Sequence, residues 1–299
     1  MQSKLKIIAV VGPTSSGKTS LSIAIAKAFN GEVVSADSRQ VYRGLDIGTG
    51  KVTVKEMEGI PHHLLDVADP MKVYTAANFE RDAAPAILDI QNRGCLPIIA
   101  GGSTFYIDIL RGKLQSAPVA PDEKLRKELE QFSNTELFEK IKIADPRRAA
   151  SIDPDNRRRL ERALEIISAI GTVPESTETE SPFEWLMIGV AVEKEQLHKN
   201  IHKRLLERLE SGMIEEVERL HTEGVTFERM DNLGLEYRYL AKYLQGELKK
   251  EDLIEQIELK NRQYAKRQMT WLKRDKSIEW FSPTGSVAIM QRVETFLNG

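Results

Sequence analysis

The sequence predicts an α/β fold: a P-loop parallel-sheet core, a helical insertion domain and a helical C-terminal part. Three observations carry this reading. The apolar run Ile7-Ile8-Ala9-Val10-Val11 leads into Gly12-Pro13-Thr14-Ser15-Ser16-Gly17-Lys18-Thr19, and a helix-forming stretch from Leu21 to Phe29 follows. That octet is the full G-x-x-x-x-G-K-[ST] pattern of a phosphate-binding loop, in its strand–loop–helix context. Strand and helix signals then alternate up to about residue 110, which argues for parallel strands joined by right-handed crossovers. After Gly112 charged helical patterns take over, and strand composition returns only at Trp185 to Val192.

The expected core strands are 7–11, Glu32 to Ser35 and Leu96 to Ala100, with helices over 18–29 and about 76–93. Ser116 to Pro121 reads as a proline-marked linker, and Asp145-Pro146 and Asp153-Pro154 break the helices that run to about 169. Gly171 to Pro182 is a polar loop, and 185–192 reads as a further strand of the first sheet. The organisation is therefore core over 1–114, helical insertion over 115–182, and return strand plus C-terminal helices over 183–299. Helical patterns fill 194–276, with a turn around Gly224 to Asp231.

Composition bounds the function. Hydrophobic content of 41% and charged content of 29% suit a soluble protein with a sizeable core. No long apolar run suggests a membrane partner, and the start Met1-Gln2-Ser3 lacks signal-peptide anatomy, so a cytoplasmic protein is expected. A single cysteine, Cys95, excludes an internal disulfide framework and reads as a small core residue. Net charge is −2, but Arg157-Arg158-Arg159 with Arg162 form one basic cluster. Lys260, Arg262, Lys266, Arg267, Lys273, Arg274 and Lys276 form another, with Tyr264, Trp271 and Trp280 among them. Composition alone favours solvated helix faces; the sharper reading is a nucleic-acid contact surface with aromatic platforms.

Ligands of such sheets bind at the carboxyl ends of the strands, where three candidate segments fall. In the loop at 12–19, backbone N–H groups can surround a pyrophosphate, Lys18 reaches phosphate oxygens, and Thr19 offers its hydroxyl to magnesium. Asp37, after the second strand, can serve as general base, hold magnesium through water, or merely cap a turn. Gly101-Gly102-Ser103 lets another backbone approach, with a helix N-cap as the plainer reading of Ser103. Arg204 and Arg208 are spaced i, i+4 on one helix, and Arg208, near Glu207 and Glu210, is expected at the surface. His198 and His202 share that spacing, but no third ligand is evident, so zinc is not expected.

Taken together, the chain resembles the tRNA dimethylallyltransferase family, also called tRNA isopentenylpyrophosphate transferases. The resemblance rests on Gly12 to Thr19, on Asp37-Ser38-Arg39-Gln40-Val41-Tyr42-Arg43-Gly44-Leu45-Asp46-Ile47-Gly48-Thr49, and on Pro61 to Asp66. It continues through Ala100 to Ser103, Asn156 to Glu165 and Lys266 to Leu272. The family moves a dimethylallyl group from dimethylallyl diphosphate to N6 of the adenosine 3′ to the tRNA anticodon. The resemblance implies that Gly12, Pro13, Thr14, Ser15, Ser16, Gly17, Lys18 and Thr19 hold the diphosphate, with Mg2+ at Thr19. Asp37 matches the general base and Arg204 a diphosphate-contacting arginine. Asp37, Ser38, Arg39, Gln40, Ser103, Arg126, Arg158, Arg159, Leu160, Glu161 and Arg162 match tRNA-contacting positions. The insertion matches a domain that grips the anticodon stem-loop. A monomer is expected. The family usually has threonine where this chain has Ser103, and many members read Gly-Tyr where it has Gly234-Leu235-Glu236-Tyr237.

Three other functions share parts of this pattern. A prenyltransferase acting on free adenine nucleotide needs neither insertion nor basic C-terminal third. A nucleotide or small-molecule kinase would bind ATP productively. Against a phosphate-loop RNA-binding module without catalysis, Asp37 argues only weakly.

Overall fold

A computed structural model describes residues 4–299 apart from 116, 118, 176 and 177. The chain start, Ser116 and Pro118 of the expected linker, and Ser176 and Thr177 of the polar loop lie outside the described residues. The described chain forms two compact units. One joins the segment up to Arg111 with that from Glu180 onward; the other is Gly112–Thr179.

The larger unit begins β1 (Leu5–Val11), α1 (Lys18–Ala28), β2 (Gly31–Ser35), α2 (Val54–Met57) and β3 (His62–His63). It continues α3 (Ala76–Asn92), β4 (Leu96–Gly101) and α4 (Thr104–Leu110). The smaller unit holds α5 (Glu123–Leu129), α6 (Asn134–Ala144), α7 (Pro146–Ala149) and α8 (Arg157–Ile170). The larger unit resumes with β5 (Phe183–Val190), α9 (Lys194–Glu210), α10 (Met213–Thr222), α11 (Phe227–Leu233) and α12 (Leu235–Leu244). It closes with α13 (Lys250–Leu272), β6 (Ile278–Phe281) and α14 (Ser286–Asn298).

The six strands are all parallel, in the order β3-β2-β4-β1-β5-β6. β1 is apolar at successive positions because both faces of a parallel sheet are covered. Ile7, Ala9 and Val11 pack with Phe79, Ile87 and Ile107 on one face, and Ile8 and Val10 with Ile25, Ile289 and Val293 on the other. A separate apolar cluster ties the segment after Asp37 to the C-terminal helices: Val41, Tyr42 and Leu45 pack with Leu205, Met213, Leu240 and Ile257.

Three expectations need correction, and two edge strands had gone unread. The return strand runs Phe183–Val190, so Ala191 and Val192 already belong to the loop before α9. Residues expected to turn at 224–231 mostly form α11, started by Thr226, whose side chain accepts from the Arg229 N–H. The edge strands β3 and β6 carry no strong strand pattern. β3 is only two residues long, and buried Glu32 of β2 supports it by bonding His63 at 2.7 Å and pairing with Arg93. Trp280, grouped above with the basic cluster, instead lies in β6 on the sheet edge.

In the smaller unit Leu137, Ile141, Leu160, Ala163 and Ile166 form a core of their own. Asp122, Ser133, Asp145 and Asn156 cap its four helices through their side chains. Asp145 also accepts from the Val173 N–H, at 2.9 Å.

Candidate active site

β1 ends at Val11, level with Gly101 of β4 and Gly189 of β5, and the phosphate-binding loop leaves the sheet there. α1 starts at Lys18 with Gly17 as N-cap at φ +90°, a conformation that disfavours any side chain. No side chain caps this helix, so its first N–H groups remain available to an anion. Ser16 Oγ is buried inside the loop with no partner among the described residues. An orphaned buried hydroxyl in a loop of this kind fits a bound phosphate group.

Side chains from elsewhere fix the loop. Gln268 of α13 accepts from the Thr14 N–H at 2.9 Å, and Asn200 of α9 donates to the Ser15 carbonyl at 3.1 Å. Lys18 donates to the Pro13 carbonyl at 2.6 Å. Burial lowers Lys18 from its usual 10.5 to about 8; nearby Asp37 opposes the shift and Arg204 adds to it. Lys18, Asp37 and Arg204 therefore share one electrostatic neighbourhood.

Arg204 projects from α9, whose Leu197, Ile201 and Leu205 are buried. Asn200 and Arg204, one turn apart, both line a cavity of about 990 Å³ that also takes in Ser15 to Thr19, Glu56, Trp280 and Phe281. Arg204 Nη2 lies 3.1 Å from where a Cβ would stand on Gly50. Among the described residues it has no carboxylate or carbonyl partner. Partial desolvation at the cavity wall, then the charge of Arg208, disfavours its protonated form, yet a guanidinium stays charged. A guanidinium and a lysine lining one cavity together can attract an anion. Arg208 is not the surface residue expected: it donates to the Gly48 carbonyl at 2.9 Å and faces Glu236 at 3.4 Å.

Asp37 follows β2. Its Oδ1 accepts from the Arg39 N–H at 2.8 Å and, more weakly, from Gln40 N–H at 3.4 Å. The turn-capping reading is thus correct for one oxygen, while Oδ2 has no partner among the described residues. Ser103 starts α4 but makes no cap bond; its Oγ accepts from the Ser38 N–H at 2.9 Å. Arg39 donates to the Asn232 carbonyl and Gln40 to the Gly50 carbonyl. Desolvation, then the Asp37 carboxylate, pushes the phenol of Tyr264, 37% exposed on α13, up to about 12.

The described residues hold no group of three metal-ligating His, Cys, Asp or Glu side chains. His202 pairs with Glu258 at 2.9 Å. Thr19 is exposed at the start of α1 and its hydroxyl has no bond among these residues. One hydroxyl fits magnesium, a hard ion that takes few protein oxygens and completes its shell with phosphate oxygens and water.

The remaining candidates lie in the smaller unit. Arg126 and Arg162 both bond the buried carboxylate of Glu165, at 2.6 and 2.9 Å. Arg158 and Arg159 are exposed in the first turn of α8. Leu160 is a correction: its side chain is fully buried in that unit's core and cannot offer a contact surface. Glu161 pairs with Arg157 at 2.8 Å and so orients an arginine.

Three residues of the site escaped the sequence reading. Asn200 stands one turn before Arg204, so the same helical spacing could have found it. Gln268 lies inside the run Lys266 to Leu272 but had no role. Glu216 accepts the N–H groups of Asp46, Ile47 and Gly48 and the Tyr237 hydroxyl, at 2.7 to 2.9 Å. A glutamate in an acidic helix reads as solvated, so nothing in the sequence marked it.

The IPP transferase family model matches residues 40–275. A tRNA dimethylallyltransferase of Halalkalibacterium halodurans is 40% identical over 94% of this chain and 92% of its own length. One of Thermomicrobium roseum is 41% identical over 95% and 88%. Among solved structures, the tRNA isopentenylpyrophosphate transferase of Bacillus halodurans is 36% identical with a TM-score of 0.74, covering 99% of this chain and 96% of that one. A eukaryotic dimethylallyltransferase acting on tRNA is 29% identical with a TM-score of 0.84, covering 98% and 80%. No helix among the described residues is long and apolar enough to cross a membrane.

Proposed function

The chain belongs to the tRNA dimethylallyltransferase family, and from that premise we propose that it moves a dimethylallyl group from dimethylallyl diphosphate to N6 of the adenosine 3′ to the tRNA anticodon. The observation that carries the reading is that Lys18 and Arg204 line one cavity with the phosphate-binding loop, while Asp37 is near enough for its charge to act on Lys18.

The exocyclic amine of adenine is a weak nucleophile. As its N6–C bond to the prenyl carbon forms, the carbon–oxygen bond to diphosphate breaks and an N6 proton must leave. Oδ2 of Asp37 takes that proton, while Oδ1 stays bonded to the turn and fixes the carboxylate. Negative charge grows on the departing diphosphate. Loop N–H groups, Lys18 and Arg204 stabilise it. Magnesium, held by Thr19 and the diphosphate itself, would add charge neutralisation at the leaving group. Attack is at carbon, so the loop grips a leaving group and no phosphoryl group is transferred. The adenine has to leave the anticodon-loop stack to reach Asp37. Arg126, Arg158, Arg159 and Arg162 are the cations offered to RNA phosphates by the smaller unit.

The test incubates the protein with radiolabelled dimethylallyl diphosphate, magnesium and bulk tRNA. Label in tRNA is expected. Label in added AMP instead would make it a free-nucleotide prenyltransferase. No label, with phosphate moved from ATP, would make it a kinase.

A further inference from the structure

Gln268 is 7% exposed on α13, and its side-chain amide is committed at both ends. Oε1 accepts the Thr14 N–H at 2.9 Å, and Nε2 donates to the Gly102 carbonyl at 2.9 Å. One partner is an N–H and the other a C=O, so the partners themselves fix the amide's orientation. The two bonds join loops that leave neighbouring strands, β1 and β4, at their carboxyl ends. One loop is the phosphate-binding loop. The other continues into Ser103, whose hydroxyl holds the Ser38 N–H beside Asp37. Gly102 makes the room: a Cβ there would stand 2.3 Å from Gln268 Nε2.

We propose that Gln268 is a positioning residue that sets the separation between the diphosphate-holding loop and the Asp37 carboxylate. The proposal rests on the prenyl-transfer reading given above. Gln268 also draws the Thr14 N–H away from any ligand, so the anion is left to the N–H groups from Ser15 onward. A glutamine suits the place because a carboxamide offers a donor and an acceptor a fixed distance apart. A residue that merely packed there would need neither bond.

The test compares wild type, Gln268→Met, Gln268→Ala, Gly102→Ala and the Gln268→Ala/Gly102→Ala double variant. The measurements are Tm, affinity for inorganic pyrophosphate, and the single-turnover rate at saturating donor and tRNA. Gln268→Met keeps the side-chain bulk and loses both bonds. It should weaken pyrophosphate binding about tenfold. It should slow the chemical step about ten- to a hundredfold through misplacement, with tRNA affinity kept. Gly102→Ala displaces the amide, so alone it should reproduce much of both losses. In the Gln268→Ala background nothing is left to displace, and the same methyl should have no further effect. Additive losses in the double variant, or a Gln268→Met protein with wild-type affinity and rate, would overturn the proposal. If wild type itself labels no tRNA, the function fails, and the pyrophosphate affinities alone still decide whether Gln268 sets the loop.

Discussion

At Asp37 one carboxylate oxygen is committed to the backbone of the turn at 37–40, and the other has no partner among the described residues. Asp37→Asn keeps the turn bond through its amide oxygen but cannot accept a proton. The single-turnover rate at saturating substrates should fall about 10²–10⁴-fold, with tRNA and donor binding nearly retained. Rescue by raised magnesium would make Asp37 a metal-holding group instead, and a loss under about tenfold would remove it from the mechanism. Lys18 poses the opposite problem, a charge held against its surroundings. Its folded pKa, about 8, lies below its usual 10.5, so the unfolded chain binds the proton more tightly. Burying the charged lysine therefore destabilises the free protein by up to about 3 kcal/mol below pH 8, less whatever water still reaches its stem. Lys18→Met should raise Tm by a few degrees at pH 7, and the gain should fade between pH 8 and 10.5. The same variant should lose most of its pyrophosphate affinity. In wild type that affinity should fall as pH rises through about 8, since the anion favours the charged lysine. In Lys18→Met that component should vanish. Titration calorimetry across pH measures both, and a wild-type profile in the Met variant would end the assignment.

Among the elements, α8 carries a local conflict. Its first three residues are Arg157, Arg158 and Arg159, with no acidic residue in the first turn. Cations at the positive end of a helix are unfavourable, typically by 0.3–1 kcal/mol each for exposed groups. Arg157 is offset by Glu161 and by the Phe132 and Leu129 carbonyls, to which it donates at 2.8 Å. RNA phosphate at that helix end would add a favourable partner for the exposed Arg159. Arg158 and Arg159 are changed together to Ala to test this helix end. The change should weaken tRNA binding and make the slope of log affinity against log salt shallower by about 1 to 2. An unaltered slope would return both residues to a solvated face. The sequence made α8 legible because its apolar positions repeat at helical spacing. The role of Glu165 was not legible, since only the fold brings Arg126 and Arg162 onto its one buried carboxylate. The edge strands were hidden for a related reason: two and four residues are too few to show a period, and β3 is set by Glu32, His63 and Arg93 from three separate elements.

On the scale of the whole chain, the sheet was legible because each central strand is apolar on both faces, and the phosphate-binding loop because its pattern is local. What joins the parts was not. Asn200, Gln268 and Glu216 each reach a loop more than 150 residues away in sequence, and nothing in local pattern announces such a bond. The smaller unit is an insertion with adjoining ends: the Thr179 N–H donates to the Gly112 carbonyl at 2.8 Å. It has its own apolar core and its own capped helices. The larger unit likewise keeps its sheet, its two apolar faces, Asp37, Lys18, Arg204 and Gln268 within itself. Replacing residues 113–178 by a short Gly-Ser linker should therefore leave a folded protein. Loop-closure entropy changes slowly with length, so the exchange itself costs little. Pyrophosphate affinity should stay within about threefold of wild type, because every group that acts on the anion is retained. Affinity for tRNA should fall at least about tenfold, with a shallower salt slope, if the arginines proposed above to meet RNA phosphates are the ones removed. Pyrophosphate binding by calorimetry and tRNA binding by filter retention across a salt series measure the two separately. Loss of pyrophosphate binding in a folded protein would show that the anion site depends on the insertion. Undiminished tRNA affinity would move the RNA grip to α13 and the Asp37 loop.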